Sequence, residues 1–299
     1  MTVSGASIQI RPITPTIGAE IIGVDLSRLD DASFTAIHRA LLDHLVIVLR
    51  DQHLSPENHL AFARRFGDLE PPHPVFAHLP EHPQVSVLET KGDKGVYNDE
   101  WHTDVTFRPR PALGSILYAR VIPENGGDTL WANMYAAYEA LAEPVKRLVE
   151  GLTAVHDICG GGPYGRVLTY QEVVLAQKDG IRRLQELQAE FPPVSHPVVR
   201  THPETGRRAL FVNRSFTTRI EGLSKLESAW LLGMLLEHLE QIGFQMRHRW
   251  RMNDLVMWDN RCTQHLAVAD YSPAHRLMHR TTVLGDRPQL RPARDRNAV

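Results

Sequence analysis

The sequence of 299 residues has two cysteines, no long apolar run and a net charge of only −2. Cys159 and Cys262 cannot build a disulfide framework and lack the spacing of a zinc site, so we expect two small, buried thiols. No stretch is apolar over the roughly eighteen residues that a membrane helix needs, and the N-terminus lacks the features of a signal peptide. The balanced charge argues against the basic face of a nucleic-acid binder. We therefore expect a cytoplasmic protein with neither a membrane nor nucleic acid as its partner.

Short strand-like segments outnumber helices along the chain. Helical periodicity is clearest from Asp31 to about His44 and at about 224–241, and Ser55 before Pro56 has the pattern of a helix start. Strands are expected at 8–13, 18–26 and 45–50 and within HPVVRTH, RALFVN, FQMRHRW, DLVMWDN and RLMHRTTVLG. Because regular βαβ alternation is absent, this order favours a mainly β fold with helical cover, a barrel or jelly roll. No repeat or low-complexity linker divides the chain, which predicts one domain.

The heptapeptide WHTDVTF at 101–107 places an imidazole and a carboxylate two residues apart. If this segment is extended or turns out of a strand, His102 and Asp104 can face one point in space. A surface turn is the simpler explanation of such a pair, so a metal site needs a third ligand. His265 follows the predicted strand DLVMWDN in a polar run and is the candidate. Two histidines and one carboxylate form the facial triad of non-haem iron(II) oxygenases.

Two arginines follow His265 in the segment RLMHR. Arg276 and Arg280 are four residues apart, so on an extended strand both side chains would enter the same cavity. Buried arginines are costly unless they are paired with anions. Ordinary salt bridges to Asp or Glu are the alternative to a role in ligand binding.

Taken in order, these motifs resemble the TauD/TfdA family of iron(II)- and 2-oxoglutarate-dependent dioxygenases, and most of all its taurine dioxygenase branch. The resemblance extends over almost the whole chain, through IGAEIIGVDL, LRDQ, FARRFGDL, WHTDVTF, GGDTLWANMYAAYEAL, HPVVRTHPETG, WDNRCTQH and MHRTTVLGD. It implies one dioxygenase domain over 1–299, with a double-stranded β-helix (jelly-roll) core flanked by helices. A lid is expected near 158–192, where Gly160–Gly162 are consecutive glycines, and an extended C-terminal tail from about 286.

The resemblance assigns the cofactor site. It implies that His102, Asp104 and His265 bind Fe(II), and that Thr129 and Arg276 hold the distal carboxylate of 2-oxoglutarate, with dioxygen as the third reactant. Charge supports this assignment, since the iron, one aspartate, the 2-oxoglutarate dianion and Arg276 together come to zero. The planar fork of a guanidinium also suits a carboxylate.

For the primary substrate the resemblance implies a small sulfonate, with taurine as the leading candidate. Its anion would meet His73, Asn98, the backbone N–H of Val105, and Arg280. His73 beside a proline and Asn98 in a polar loop also have simpler explanations, a loop cap and an Asx turn. Phe76 departs from the taurine pattern, which has a tyrosine at that position of HPVF.

Two alternatives stay open. A sister dioxygenase that acts on an alkyl sulfate, another alkanesulfonate or an aryloxy acid would use the same arginines. A non-catalytic metabolite-binding protein on this scaffold is the alternative from another functional class. The sequence also leaves open whether the chain forms a homo-oligomer.

Overall fold

The computed structural model describes residues 8–74, 76–92, 100–159, 174–175 and 179–291. The strands within these ranges are β1 (Gln9–Pro12), β2 (Ala19–Ile22), β3 (Val46–Leu49), β4 (Ala77–Leu79), β5 (His82–Thr90), β6 (Ala112–Val121), β7 (Thr129–Asn133), β8 (Thr153–His156), β9 (Val194–Pro197), β10 (Val199–Thr201), β11 (Arg208–Leu210), β12 (Thr217–Ile220), β13 (Gln245–His248), β14 (Leu255–Asp259), β15 (Thr263–Ala267) and β16 (Arg276–Leu284). The helices are α1 (Asp31–His44), α2 (Pro56–Arg64), α3 (Met134–Glu139), α4 (Glu143–Val149), α5 (Gly180–Glu190) and α6 (Lys225–Leu239). None of these helices is long and apolar enough to cross a membrane.

Local signals in the sequence account for the helix ends. The Asp30 side chain accepts a hydrogen bond from the Ser33 backbone and caps α1, which covers the predicted range. Ser55 caps α2 in the same way, with Pro56 in its first turn. A capping box between Ser224 and Glu227 starts α6 where the long amphipathic helix was expected.

The β-strands form one large sheet and several small ones. The large sheet has the order β1-β2-β3-β14-β6-β16-β5-β4, and its pairs are antiparallel apart from β2 with β3. A three-stranded sheet, β13-β7-β15, carries His265, and β16 lies between β5 and β6 in the large sheet. This mainly antiparallel architecture with helical cover confirms the jelly-roll prediction.

An aromatic contact joins the large sheet to the three-stranded sheet that carries His265. Trp258 on β14 and Trp131 on β7 are at most 1% exposed, and their ring centroids are 5.6 Å apart. Burial of one large apolar side chain contributes about 1.5–3 kcal/mol, so the contact fixes the spacing of the sheets. The Trp258 ring also lies 4.7 Å from the His265 ring. The core therefore holds β15 and its histidine in place.

Candidate functional site

Three residues predicted from the sequence, His102, Asp104 and His265, converge at one buried point. The two histidines face each other across an isolated antiparallel bridge, in which each backbone N–H donates to the other carbonyl, at 3.0 and 2.8 Å. After His102 the chain turns, and Val105 has a left-handed φ of 48°. One ligand atom from each of the three residues lies within 4.8 Å of the others. The structure therefore brings the predicted metal ligands together.

Burial prepares both imidazoles to act as neutral ligands, and a hydrogen bond orients that of His102. His102 Nδ1 lies 2.8 Å from the Glu100 carbonyl oxygen, so Nδ1 carries the proton and Nε2 keeps its lone pair. Burial lowers the pKa of both histidines, that of His265 well below its usual value. Burial alone would raise the pKa of Asp104, but the Arg280 guanidinium beside it holds that pKa well below its usual value. Two neutral imidazoles and one carboxylate are a donor set that fits iron(II).

Two residues that the sequence analysis missed support the carboxylate. Ser115 Oγ donates to Asp104 Oδ2 at 2.7 Å. Asn260 Oδ1 accepts hydrogen bonds from the Asp104 backbone N–H at 3.4 Å and from Trp258 Nε1 at 2.9 Å. Such outer contacts orient metal ligands. The polar end of the buried segment WDN was an available signal for Asn260, whereas no local signal distinguishes Ser115 from any other serine in a strand.

A cavity of about 350 Å³ lies beside the triad, and both predicted 2-oxoglutarate residues line it. Thr129 Oγ1 accepts a hydrogen bond from Trp250 Nε1 at 2.9 Å. Arg276 is 8% exposed, and its Nε has no hydrogen-bond partner among the described residues. Gly127, at φ 70°, makes room for this arginine, because a Cβ there would lie 3.2 Å from Arg276 Cδ. A buried guanidinium without a carboxylate partner suits an anionic ligand.

Arg280 also lines this cavity and contacts the triad directly. Its Nη1 donates to Asp104 Oδ1 at 3.0 Å, and its Cζ lies 5.0 Å from the centre of the Phe76 ring. The Phe76 and His73 ring centroids are 4.4 Å apart. Arg280, His73 and Val105 line one narrow crevice together with Asp104. Three of the four predicted substrate residues are therefore neighbours.

Other predictions fall wholly or partly outside the described residues. Asn98 and the glycines at 160–162 lie outside them, so the predicted lid at 158–192 is described only in part, and the tail only to residue 291. Their roles, like the single domain over 1–299, stay predictions.

A second buried cluster, His202, Asp259 and Cys262, has ligand atoms as close together as those of the triad. Its carboxylate already accepts hydrogen bonds from His202 at 3.0 Å and from Arg261 at 2.9 and 2.7 Å. His202 Nδ1 accepts hydrogen bonds from the backbone N–H groups of Glu204 and Thr205. These groups satisfy one another, so the cluster stabilises the fold around β14 rather than offering a free ligand set.

Comparison with known proteins agrees with the site. The family model described as "Taurine catabolism dioxygenase TauD, TfdA family" matches residues 9–282. The chain is 38% identical to an alkylsulfatase of Acinetobacter baylyi, over 93% of this chain and 86% of the relative. It is also 38% identical to an alpha-ketoglutarate-dependent sulfate ester dioxygenase of Pseudomonas putida, over 94% and 91%.

A solved taurine dioxygenase from Burkholderia xenovorans is 37% identical, covers 97% of this chain and 93% of its own, and superposes with a TM-score of 0.79. Other relatives are named for sulfonates and for 2,4-dichlorophenoxyacetate. The names of the relatives thus divide among sulfonates, sulfate esters and aryloxy acids, and several of them state dependence on alpha-ketoglutarate, which is 2-oxoglutarate. With a donor set that fits iron(II) and a family match over nearly its whole length, the chain belongs to the TauD/TfdA family and is an iron(II)- and 2-oxoglutarate-dependent dioxygenase.

Proposed function

We propose that the enzyme hydroxylates the carbon that bears the sulfur of a small sulfonate, with taurine as the first compound to test. The observation that carries this proposal is the pair of buried arginines on β16. Arg276 and Arg280 line one cavity with His102 and His265, so the cavity offers two positions for anions. One suits the far carboxylate of the co-substrate and the other suits the substrate.

The residues around the triad divide the work of binding. His102, Asp104 and His265 would hold the iron, and Thr129 with Arg276 would hold the distal carboxylate of 2-oxoglutarate. When bound, iron and 2-oxoglutarate supply, with dioxygen, the oxidising equivalents for hydroxylation, as 2-oxoglutarate loses carbon dioxide and becomes succinate. The protein contributes positions, counter-charges and a buried site that keeps water away.

The sulfonate would be held at the substrate end of the site, which we define as Arg280, His73, the Val105 N–H and Asn98. This position leaves the adjacent carbon facing the triad and orients the C–H bond that is to be hydroxylated. Replacement of one hydrogen on that carbon by a hydroxyl gives an unstable adduct. Its C–S bond then breaks, sulfite leaves with the electron pair, and the hydroxyl loses its proton to water as the aldehyde forms.

Alkyl sulfates are the second candidate, because one wall of the cavity is apolar. Phe76 replaces the tyrosine of the taurine pattern, and its neighbours in the lining include Val87, Leu88 and Leu117. An apolar wall favours an alkyl chain over the ammonium group of taurine. Hydroxylation of the carbon beside the ester oxygen of a sulfate ester would give an adduct whose C–O bond breaks, so that sulfate leaves with the electron pair and the hydroxyl loses its proton as the aldehyde forms.

A substrate panel tests the proposal. Taurine, hexanesulfonate, hexyl sulfate and 2,4-dichlorophenoxyacetate are each incubated with iron(II), 2-oxoglutarate and dioxygen. Sulfite, sulfate, phenol and succinate are then measured, with the His265→Ala variant as the control. We expect release of sulfite or sulfate in step with succinate. Phenol alone would move the enzyme to aryloxy acids, and no succinate under any condition would favour the metabolite-binding alternative.

A further inference from the structure

The substrate end contains an ion pair that the proposed reaction does not use. Glu70 is 6% exposed, and its Oε2 accepts a hydrogen bond from Arg108 Nη1 at 2.7 Å. Its other oxygen, Oε1, is buried and has no hydrogen-bond partner among the described residues. A buried carboxylate oxygen without a hydrogen-bond donor destabilises the fold, so the presence of a glutamate at this position needs an explanation.

Glu70 lies where we place the substrate anion. It lines the same narrow crevice as His73, Asp104, Val105 and Arg280. The charges also act on one another. Burial raises the pKa of Glu70 to about 7, Arg108 and Arg280 lower it, and Asp104 raises it. The 2.7 Å contact with the Arg108 guanidinium favours the ionised carboxyl, and at pH 8 the solution lies above this pKa.

The crevice offers one net positive charge to an incoming headgroup. Arg280 contributes one positive charge, and Glu70 cancels the charge of Arg108. His73 is neutral because burial, with the two arginines, holds its pKa well below its usual value. Asp104 is counted with the metal that it would bind. A singly charged sulfonate or sulfate ester balances this site, whereas a doubly charged phosphate would bring one uncompensated charge into a buried place.

We propose that Glu70 is a specificity-determining residue, which neutralises Arg108 and thereby restricts the substrate site to singly charged headgroups. Phosphate monoesters and phosphonates, which have a similar tetrahedral shape but two charges, would be excluded. This inference rests on the proposed position of the substrate anion against Arg280.

Two matched ligand pairs test it. Hexyl sulfate and hexyl phosphate share a chain and a tetrahedral headgroup, and taurine and 2-aminoethylphosphonate repeat the comparison with a short substrate. The phosphorus compounds carry about two negative charges at pH 8. Dissociation constants are measured by calorimetry under anaerobic conditions on enzyme that holds iron(II) and 2-oxoglutarate. Wild-type enzyme should prefer the sulfur compound of each pair.

The Glu70→Gln variant keeps the size of the side chain and removes its charge. Because Coulomb energy is proportional to the charge of the ligand, the dianion gains more than the monoanion. We expect the affinity ratio to shift toward the phosphorus compound by at least about tenfold, since unfavourable charge contacts in a binding site are expensive. Glu150→Gln is the matched control, because Glu150 also pairs with an arginine, Arg208, outside the cavity lining. It should leave the ratio unchanged.

The double variant Glu70→Gln with Arg108→Gln removes both charges and should restore the wild-type preference, a result that a folding defect would not give. If Glu70→Gln does not fold, Arg108→Gln alone serves as the second variant. Because Arg108 lowers the pKa of Glu70, this variant is measured above pH 8, where an ionised Glu70 has no counter-charge and should weaken the phosphorus compounds most. A ratio that is unchanged in Glu70→Gln, or in Arg108→Gln where that variant replaces it, overturns the inference, as does a double variant that keeps the shifted ratio of Glu70→Gln. If wild-type enzyme binds neither sulfur compound, or if Arg280→Ala binds them normally, the proposed substrate position fails instead.

Discussion

The two arginines of β16 lie on one strand and are almost equally buried, yet their surroundings differ. Arg276 is 8% exposed, and its charge meets the Tyr271 ring, whose centre is 5.8 Å away, with no ion pair to any described carboxylate. Arg280 is 5% exposed and donates to Asp104 at 3.0 Å. The first therefore fits the proposed role of anion receptor, while the second is hydrogen-bonded to a proposed metal ligand. Co-substrate binding and substrate binding should therefore respond differently to the same chemical change.

Loss of the metal should abolish turnover whatever the two arginines bind, so it gives the largest expected effect. His265→Ala takes away one of three ligands, and even outer contacts to metal ligands are worth roughly 10–100-fold in affinity. We expect at least about a hundredfold weaker iron(II) binding and no detectable succinate. Metal titration and a succinate assay check this. A folded His265→Ala protein that retains substantial turnover would contradict the triad.

Arg276→Ala should weaken the binding of 2-oxoglutarate without changing the binding of the substrate. The distal carboxylate would lose its counter-charge in a buried pocket, at a cost of about 2–5 kcal/mol. That corresponds to an affinity for 2-oxoglutarate that is weaker by at least roughly thirtyfold. Arg276→Lys should restore only part of it, because an ammonium lacks the planar fork. Titration of the anaerobic iron(II) enzyme with 2-oxoglutarate gives the dissociation constant, and an unchanged value would make Arg276 structural.

Arg280→Ala is the corresponding change at the other arginine and should weaken the binding of the substrate. Binding of the sulfur anion should fall by a similar about 2–5 kcal/mol, while the 2-oxoglutarate titration keeps its wild-type midpoint. Slow decay of 2-oxoglutarate without substrate should persist, since that reaction does not need the substrate anion. Loss of 2-oxoglutarate binding would mean that the roles of the two arginines are exchanged.

A smaller effect is expected from the support of Asp104. Ser115→Ala removes the donor at 2.7 Å from Oδ2, which should weaken iron(II) binding by about tenfold. Ser228→Ala is the matched control. Ser228 lies on α6, is also buried, and accepts a hydrogen bond from the Ile220 backbone N–H instead of contacting Asp104. Equal losses in the two variants would show a general packing defect rather than a role in orienting the ligand.

The sequence predicted the parts of this molecule that have local signals. Asp30 and Ser55 cap helices where expected, because a cap depends on a few neighbouring residues. His102 and Asp104 are two residues apart, and the polar segment after a predicted strand made His265 a candidate, but the resemblance was needed to assign the three residues to one site. The contact of Arg280 with Asp104 joins residues 176 positions apart, and no local pattern carries such information.

The buried Glu70 was missed for the same reason. Its neighbours in sequence resemble an ordinary surface loop, with two prolines following. The pairing of Leu69 with Val283 and the hydrogen bond from the Glu70 N–H to the Thr282 carbonyl help to bring it to the site. The sequence therefore placed His102, Asp104, His265 and both arginines among the candidate residues, while the nearby charges of Glu70 and Arg108 depended on tertiary structure.

The smallest effect should come from Phe76→Tyr, which changes the substrate end without changing its charge. The Phe76 ring lies beside both the Arg280 guanidinium and the His73 ring, so a new hydroxyl would enter the substrate side of the cavity. One added hydrogen bond contributes about 0.5–1.5 kcal/mol, and a hydroxyl against an alkyl chain costs a comparable amount. We therefore expect kcat/KM for taurine relative to hexyl sulfate to rise by roughly two- to tenfold.

Phe34→Tyr is the control, because Phe34 lies under Arg65 at 4.3 Å in the same ring-to-guanidinium arrangement but outside the cavity lining. The 2-oxoglutarate dissociation constant should stay at its wild-type value in both variants, since Arg276 is untouched. A ratio that does not change in Phe76→Tyr would mean that this ring does not meet the substrate, and the preference for an alkyl chain would then have to come from another wall of the cavity.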